Sequence, residues 1–195
     1  SLYKAELHYG DHLGGEFIEK LKAEGKYDDA LFIVTGDHGE AFGEYGEINH
    51  GATVYDTVLR VPCIIRFPNA SVKENIDKIC SHCDIVPTLL NYLNIPAPEN
   101  HKFDGEDIFQ ENLKNFIVVD APPIVLPGRL DAYPEIQKRY AFFWRTLINL
   151  EYKFVWKSDG SIMLFKRNDL ELSKNDISKE NIQKTSFDIF IITII

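Results

Sequence analysis

Two side chains that can bind a metal ion, Asp37 and His38, stand next to each other after an apolar run. The run, Leu31 to Val34, predicts a strand that is buried on both faces, as in the middle of a parallel sheet. In open α/β sheets, ligands bind in the crevice outside the carboxyl ends of the strands. A carboxylate oxygen beside an imidazole nitrogen at a strand end therefore predicts a divalent-metal site.

The loop after this pair holds a second acidic residue, Glu40. Glu40 is either a partner of a metal ligand or a solvated loop charge, and the sequence favours neither interpretation. An isolated Asp-His-Gly also has a purely structural interpretation, in which Asp37 caps the turn and His38 packs within it. The metal interpretation therefore depends on the sequence that follows.

Four sequence blocks in order resemble the second half of a sulfatase-family hydrolase, which belongs to the alkaline phosphatase superfamily. The resemblance extends from Tyr3 to Asn168, and its blocks are TGDHGE, GEYGEINHG, TVYDTVLRVPCIIRFP and DIVPTLLNYLNIP. It implies that Asp37 and His38 are metal ligands, with Ca²⁺ favoured and Mn²⁺ or Zn²⁺ also compatible with the donor atoms. It also implies that His50 is a catalytic residue that contacts the anionic group of the substrate.

The resemblance implies a nucleophile in a preceding half of the fold, which in true sulfatases is a cysteine or serine converted to formylglycine. No Cys-x-Pro-x-Arg stretch occurs in this sequence, which also does not begin with Met. We therefore expect a piece of a parent enzyme that hydrolyses sulfate esters with a metal ion, supplying part of the site but not the nucleophile.

Three alternatives stay open on the same sequence. The parent could be a phosphodiesterase or phosphonate hydrolase of the same superfamily, or a phosphoethanolamine-type transferase. The chain could also be an inactive fragment. The expected substrate is accordingly a small-molecule or glycan sulfate ester, or a phosphoester, and the oligomeric state is unknown.

The predicted fold class is α/β: part of an alkaline-phosphatase-like α/β sandwich with a small antiparallel C-terminal sheet. We expect residues 1–135 to belong to the catalytic domain and residues 136–195 to form the small β subdomain, with an atypical apolar tail at 187–195. Within these parts the patterns predict an amphipathic helix over Tyr3–Glu24, a strand over Cys63–Phe67, a helix capped by Asp84 and a hairpin turn at Asp159-Gly160.

Composition limits the class of partner. The formal net charge of −9 argues against a nucleic-acid partner, and no run is apolar and long enough to span a membrane. The three cysteines, Cys63, Cys80 and Cys83, are too few for a disulfide framework and slightly favour a soluble, cytoplasmic location. Cys80 and Cys83 have the spacing of a metal clip without a second pair, so we interpret them as part of a connection.

Overall fold

The computed structural model describes residues 2–50, 53–70, 72, 78–111, 116–123 and 141–167. The chain divides into two compact units, the first made of residues 1–37 and 61–75 and the second of residues 38–60 and 76–195. The expected boundary after residue 135 and the apolar tail lie outside the described residues, so both stay predictions.

Helix α1, Leu2–Ala23, occupies most of the first unit and confirms the amphipathic pattern. The helix ends before Gly25, whose φ of +67° turns the chain, and the Gly25 amide donates to the Lys22 carbonyl. No residue of α1 is buried. The rings of Phe17 on this helix and Phe32 meet edge to face, with centroids 6.3 Å apart.

Strand β1, Phe32–Thr35, which precedes the candidate metal ligands, has a different neighbour from the one that its apolar sequence predicts. It pairs antiparallel with β4, Cys63–Arg66, and not within a parallel sheet. Val34 and Ile64 are directly opposed in this pair, and each is 63% exposed. The prediction of a strand buried on both faces is wrong for the described residues, because these two strands have no further strand beside them there.

Arg66 anchors the end of β4 in the first unit, which confirms a structural role. Its Nη1 atom donates to the backbone carbonyls of Tyr27, at 2.9 Å, and Ala30, at 3.1 Å. The guanidinium group also lies 3.9 Å from the centroid of the Tyr27 ring. Its Nη2 atom also lies 3.4 Å from the Asp28 carboxylate. Arg66 thus fixes the loop between α1 and β1 through contacts within the first unit.

The second unit contains a four-stranded antiparallel sheet with the order β5-β6-β7-β8. Its first strand, which the sequence analysis places before the domain boundary, pairs with the second along five residues. The Asp159-Gly160 turn joins the last two strands, with Gly160 at φ +88°. The strands are β5 (Ile117–Ala121), β6 (Trp144–Ile148), β7 (Tyr152–Lys157) and β8 (Ile162–Lys166).

One apolar cluster packs the sheet against the segment that follows the site loop. Val54 is fully buried beside Trp144, Val155 and Phe165. Val54 lies two residues before the short helix α2, Asp56–Leu59. The sequence pattern predicts a helix over Thr53–Leu59, so the observed helix begins three residues later. The core of the second unit therefore fixes the chain immediately after His50.

Asp84 occupies the predicted N-cap position of helix α3, Ile85–Tyr92, but its side chain makes no capping hydrogen bond to that helix. Its buried carboxylate accepts hydrogen bonds from the Ser81 amide, at 2.6 Å, and from the Glu106 amide, at 2.8 Å. A 3-10 turn, His82–Asp84, comes before the helix and turns the Asp84 side chain back toward these amides. The Asp84 carboxylate thus serves as the acceptor for two part-buried loop N–H groups that would otherwise lack this bond.

Candidate active-site loop

The loop after Asp37 folds into a short hairpin within the second unit. Strands β2, Ala41–Phe42, and β3, Ile48–Asn49, pair antiparallel and are joined by a 3-10 turn, Glu44–Gly46. Tyr45 has φ +60° in that turn, a conformation that a bulky side chain rarely adopts. Its ring lies 4.7 Å, centroid to centroid, from the Tyr55 ring, which holds the tip of the hairpin against the chain before α2.

The hairpin register places Glu40 opposite His50. Ala41 pairs with Asn49, so the next pair outward along the ladder is Glu40 and His50. The Oε2 atom of Glu40 lies 3.1 Å from the Nδ1 atom of His50. Glu40 is therefore neither a solvated charge nor a visible metal-ligand partner in this structure, because its contact is with the candidate substrate-binding histidine.

His38 lies against the same histidine. The His38 and His50 rings are stacked, with centroids 3.9 Å apart and an interplanar angle of 28°. The Nδ1 atom of His38 lies 2.8 Å from the Gly39 carbonyl oxygen, which can only accept a hydrogen bond. This bond puts a proton on Nδ1 and leaves the lone pair on Nε2, the form that a neutral histidine ligand needs.

Gly39 brings the loop into close contact with helix α2. Its amide donates to the Val58 carbonyl at 2.7 Å. A Cβ atom at this position would lie 2.0 Å from the Thr57 carbonyl oxygen, a distance that no side chain can occupy. Glycine is therefore required between His38 and Glu40 for steric reasons, and the contact fixes where both side chains begin.

Asp37 lies two residues after β1 and is exposed. In the part of the chain that the structure describes, no group of three or more His, Cys, Asp or Glu side chains could hold a metal ion. The donor chemistry nonetheless suits a divalent cation, since a carboxylate and an imidazole that is protonated on Nδ1 are adjacent in sequence. A divalent cation bound here would need further ligands in addition to Asp37 and His38.

A buried ion pair supports the site loop from the sheet, and the sequence analysis missed it. The Lys153 ammonium on β7 lies 2.5 Å from the Asp56 carboxylate at the start of α2, and the two side chains are 4% and 17% exposed. Burial lowers the pKa of Lys153, and the attraction of Asp56 opposes that change without reversing it. No local pattern signals this pair, because its members are 97 positions apart.

The remaining candidates do not join this site. Cys63, Cys80 and Cys83 are exposed and form no disulfide. His12 lies 3.3 Å from Glu16 one turn further along α1, and both side chains are exposed. The structure thus brings together His38, Glu40 and His50.

Solved structures identify the class of fold. The phosphonate monoester hydrolase of Agrobacterium radiobacter superposes with a TM-score of 0.67 at 20% identity, over 86% of this chain and 34% of that one. A 2-O GAG sulfatase superposes with a TM-score of 0.66 at 15% identity, over 84% of this chain and 35% of that one. The chain therefore has the α/β fold of the alkaline-phosphatase-like hydrolases, as predicted.

Sequence comparison supports the family that the resemblance indicates. Residues 1–95 match the family model described as Sulfatase, which confirms the resemblance. The uncharacterized sulfatase YidJ of Escherichia coli K12 is 36% identical over 98 residues, 50% of this chain and 19% of that protein. Lipoteichoic acid synthase 2 of Bacillus subtilis is 27% identical over 191 residues, 90% of this chain and 27% of that protein.

The chain spans less than a third of each of these two relatives. Its sulfatase relatives, among them an arylsulfatase of Clostridium perfringens, support a hydrolase of the sulfatase family. None of the helices in the described ranges is long and apolar enough to cross a membrane.

Proposed function

We propose that the chain is part of a metal-dependent hydrolase of sulfate esters, in which it supplies Asp37 and His38 to the metal ion and His50 to the substrate. The observation that carries the proposal is the stacking of His38 on His50 at 3.9 Å. It puts a candidate metal ligand in contact with a candidate substrate-binding group. The sulfatase-family match over residues 1–95, which includes all three residues, supports the same assignment.

The side-chain chemistry of this chain supports the metal part of the proposal. The bond between His38 Nδ1 and the Gly39 carbonyl leaves Nε2 as the donor atom, and Asp37 adds an anionic oxygen. A bound divalent cation would supply positive charge that polarises the oxygens of a sulfate group. His50, on the other face of the stack, would then contact an oxygen of the same group.

The metal assignment is tested on the 195-residue chain with Mn²⁺, which broadens NMR signals of nearby nuclei. We expect the imidazole signals of His38 and His50 to broaden before those of the other histidines. Asp37→Ala should require at least about tenfold more Mn²⁺ for the same broadening, because one of two ligands is lost. The matched control is His12→Ala, which changes an exposed histidine on α1 and should leave the Mn²⁺ titration unchanged.

Equal broadening at all six histidines, or an Asp37→Ala titration that overlies the wild type, would contradict the metal assignment.

Turnover by the chain is tested separately. We expect no hydrolysis of an aryl sulfate by this chain alone with Mn²⁺ or Ca²⁺, because the sequence has no Cys-x-Pro-x-Arg stretch. Metal-dependent turnover by the chain alone would show that it contains its own nucleophile.

A second candidate function is hydrolysis or transfer of a phosphorus ester. It is favoured by the superposition on a phosphonate monoester hydrolase and by the match of a lipoteichoic acid synthase to 90% of the chain. The metal and His50 would act on a phosphoryl oxygen in the same way. Rates of a catalytically complete protein on an aryl sulfate and on an aryl phosphonate monoester separate the two functions, and a higher kcat/KM on the phosphonate would favour the second.

A further inference from the structure

The contact between Glu40 and His50 is built by the hairpin. The two residues extend the ladder of β2 and β3 by one pair, so their backbones are fixed on opposite sides of the hairpin base. The Gly39 amide bond to Val58 fixes the chain just before Glu40. Fully buried Val54 fixes the chain four residues after His50. Both partners are therefore held before any ligand binds.

The Glu40 carboxylate itself is partly enclosed. The side chain is 27% exposed, and its Oε1 atom is buried with no hydrogen-bond partner among the described residues. Its Oε2 atom is the acceptor for His50 Nδ1. Burying a carboxylate oxygen without a hydrogen-bond partner costs free energy. The bond from His50 to Oε2 is therefore needed to hold Glu40 in this position.

This contact determines which nitrogen of His50 carries a proton. An ionised carboxylate is an acceptor only, so the bond requires a proton on Nδ1. The remaining nitrogen, Nε2, makes no hydrogen bond with a described residue, and in the neutral ring it has the lone pair. A carboxylate on Nδ1 of a catalytic histidine in the Ser-His-Asp triad holds the ring in one tautomer and orientation by the same chemistry.

We propose that Glu40 is the positioning residue of His50: its carboxylate fixes the Nδ1–H tautomer and reserves Nε2 for the substrate. This inference rests on the proposed function for the role of His50, but not for the tautomer. With Nε2 as an acceptor, neutral His50 can take a proton from a hydroxyl group at the site. It can then return the proton through the same atom to a leaving-group oxygen.

The tautomer is measured directly by two-bond and three-bond ¹H–¹⁵N NMR correlations of the histidine rings. The sample is the 195-residue chain at pH 8 without added metal, and His50→Gln identifies the His50 signals. We expect wild-type His50 to be mainly the Nδ1–H tautomer. Glu40→Ala should convert it mainly to Nε2–H, the form that an imidazole without a partner prefers.

Glu44→Ala is the matched control. Glu44 lies in the same hairpin and accepts a hydrogen bond from the Phe42 amide at 2.6 Å, but it does not contact His50. We expect this variant to keep the Nδ1–H tautomer of His50. A wild-type His50 in the Nε2–H form would overturn the proposal without any variant, as would a Glu40→Ala spectrum with the tautomer unchanged.

An activity measurement on the catalytically complete protein separates this inference from the proposed function. We expect Glu40→Ala to lower kcat by about 10–100-fold with little change in KM, as for other residues that orient a catalytic group, while Glu44→Ala keeps both. If the tautomer behaves as expected and the protein turns over no sulfate or phosphorus ester, the proposed function fails and the positioning role of Glu40 stands.

Discussion

At the scale of single residues, the positions of the loop's functional side chains depend on Gly39, which has no side chain of its own. Gly39 lies between His38 and Glu40 and presses against the backbone of Thr57. The two side chains on either side of it therefore start from a backbone that is fixed by contact and by the bond to Val58. A side chain at residue 39 would displace both of them.

We predict that Gly39→Ala destabilises the chain by about 1–3 kcal/mol, the usual range for forcing an extra methyl group into a packed site. Gly14→Ala is the control, because a Cβ atom at Gly14 would meet no heavy atom within 4 Å. That change in the interior of α1 should stabilise the chain by up to about 1 kcal/mol. Urea unfolding followed by circular dichroism measures both, and equal stability of Gly39→Ala and wild type would contradict the steric argument.

Residue types and spacing predict part of the candidate site. Asp37, His38 and His50 follow from donor chemistry, position after a strand and the family resemblance, and their roles stay predictions. The role of Glu40 does not, because the partner of a loop carboxylate depends on a hairpin register that two-residue strands do not signal. Nothing in the sequence around Lys153 indicates that its side chain is buried, because its burial against Asp56 depends on tertiary packing.

At the scale of elements, helix α2 connects the site loop to the four-stranded sheet. The Val58 carbonyl of this helix accepts a hydrogen bond from the Gly39 amide. Its first residue, Asp56, forms an ion pair with Lys153 on β7. A short helix of four residues has little stability of its own, so these tertiary contacts hold it in place. The sequence predicts a helix here but a longer one, because the pattern does not show where the helix starts.

We predict that Asp56→Asn costs about 3–5 kcal/mol of stability, because it leaves the Lys153 ammonium buried without a counter-charge. The double variant Asp56→Leu with Lys153→Met should recover most of this loss, since it removes both buried charges together. A double-mutant cycle in urea gives the two values. A double variant no more stable than Asp56→Asn would show that the pair is needed for more than charge balance.

We predict that the stability of the wild type relative to Lys153→Met increases as the pH rises toward 10.5, the usual pKa of lysine. Burial lowers the pKa of Lys153 in the folded state, so the unfolded chain binds more protons between the two pKa values and stability rises with pH there. Unfolding free energies of both proteins at several pH values test this. A difference that stays flat or falls would indicate that Lys153 keeps its proton in the fold.

At the scale of the whole molecule, the two compact units differ in how much apolar surface they bury. In the second unit a cluster of buried residues unites Val54, Trp144, Val155 and Phe165. In the first unit, Phe67 is the one buried apolar residue among those the structure describes.

We predict that native-state hydrogen exchange is faster in the first unit than in the sheet of the second unit. Amides of α1, β1 and β4 should exchange faster than those of β6 and β7, because local opening of the first unit exposes little buried surface. Mass spectrometry of peptic peptides after deuterium labelling measures this over both units. Equal protection of α1 and β6 would show that the first unit is stabilised by contacts other than its own core.

The buried pair of Asp56 and Lys153 also bears on attempts to transplant the loop. Residues 38–60 form a continuous segment with the three contacting side chains, and they would be the natural cassette to insert into another scaffold. Such a cassette would leave behind the ammonium group that neutralises Asp56, since Lys153 lies on a strand almost a hundred positions later. A recipient would have to provide its own buried cation below α2, or carry a neutral residue at position 56, before the loop could keep its shape.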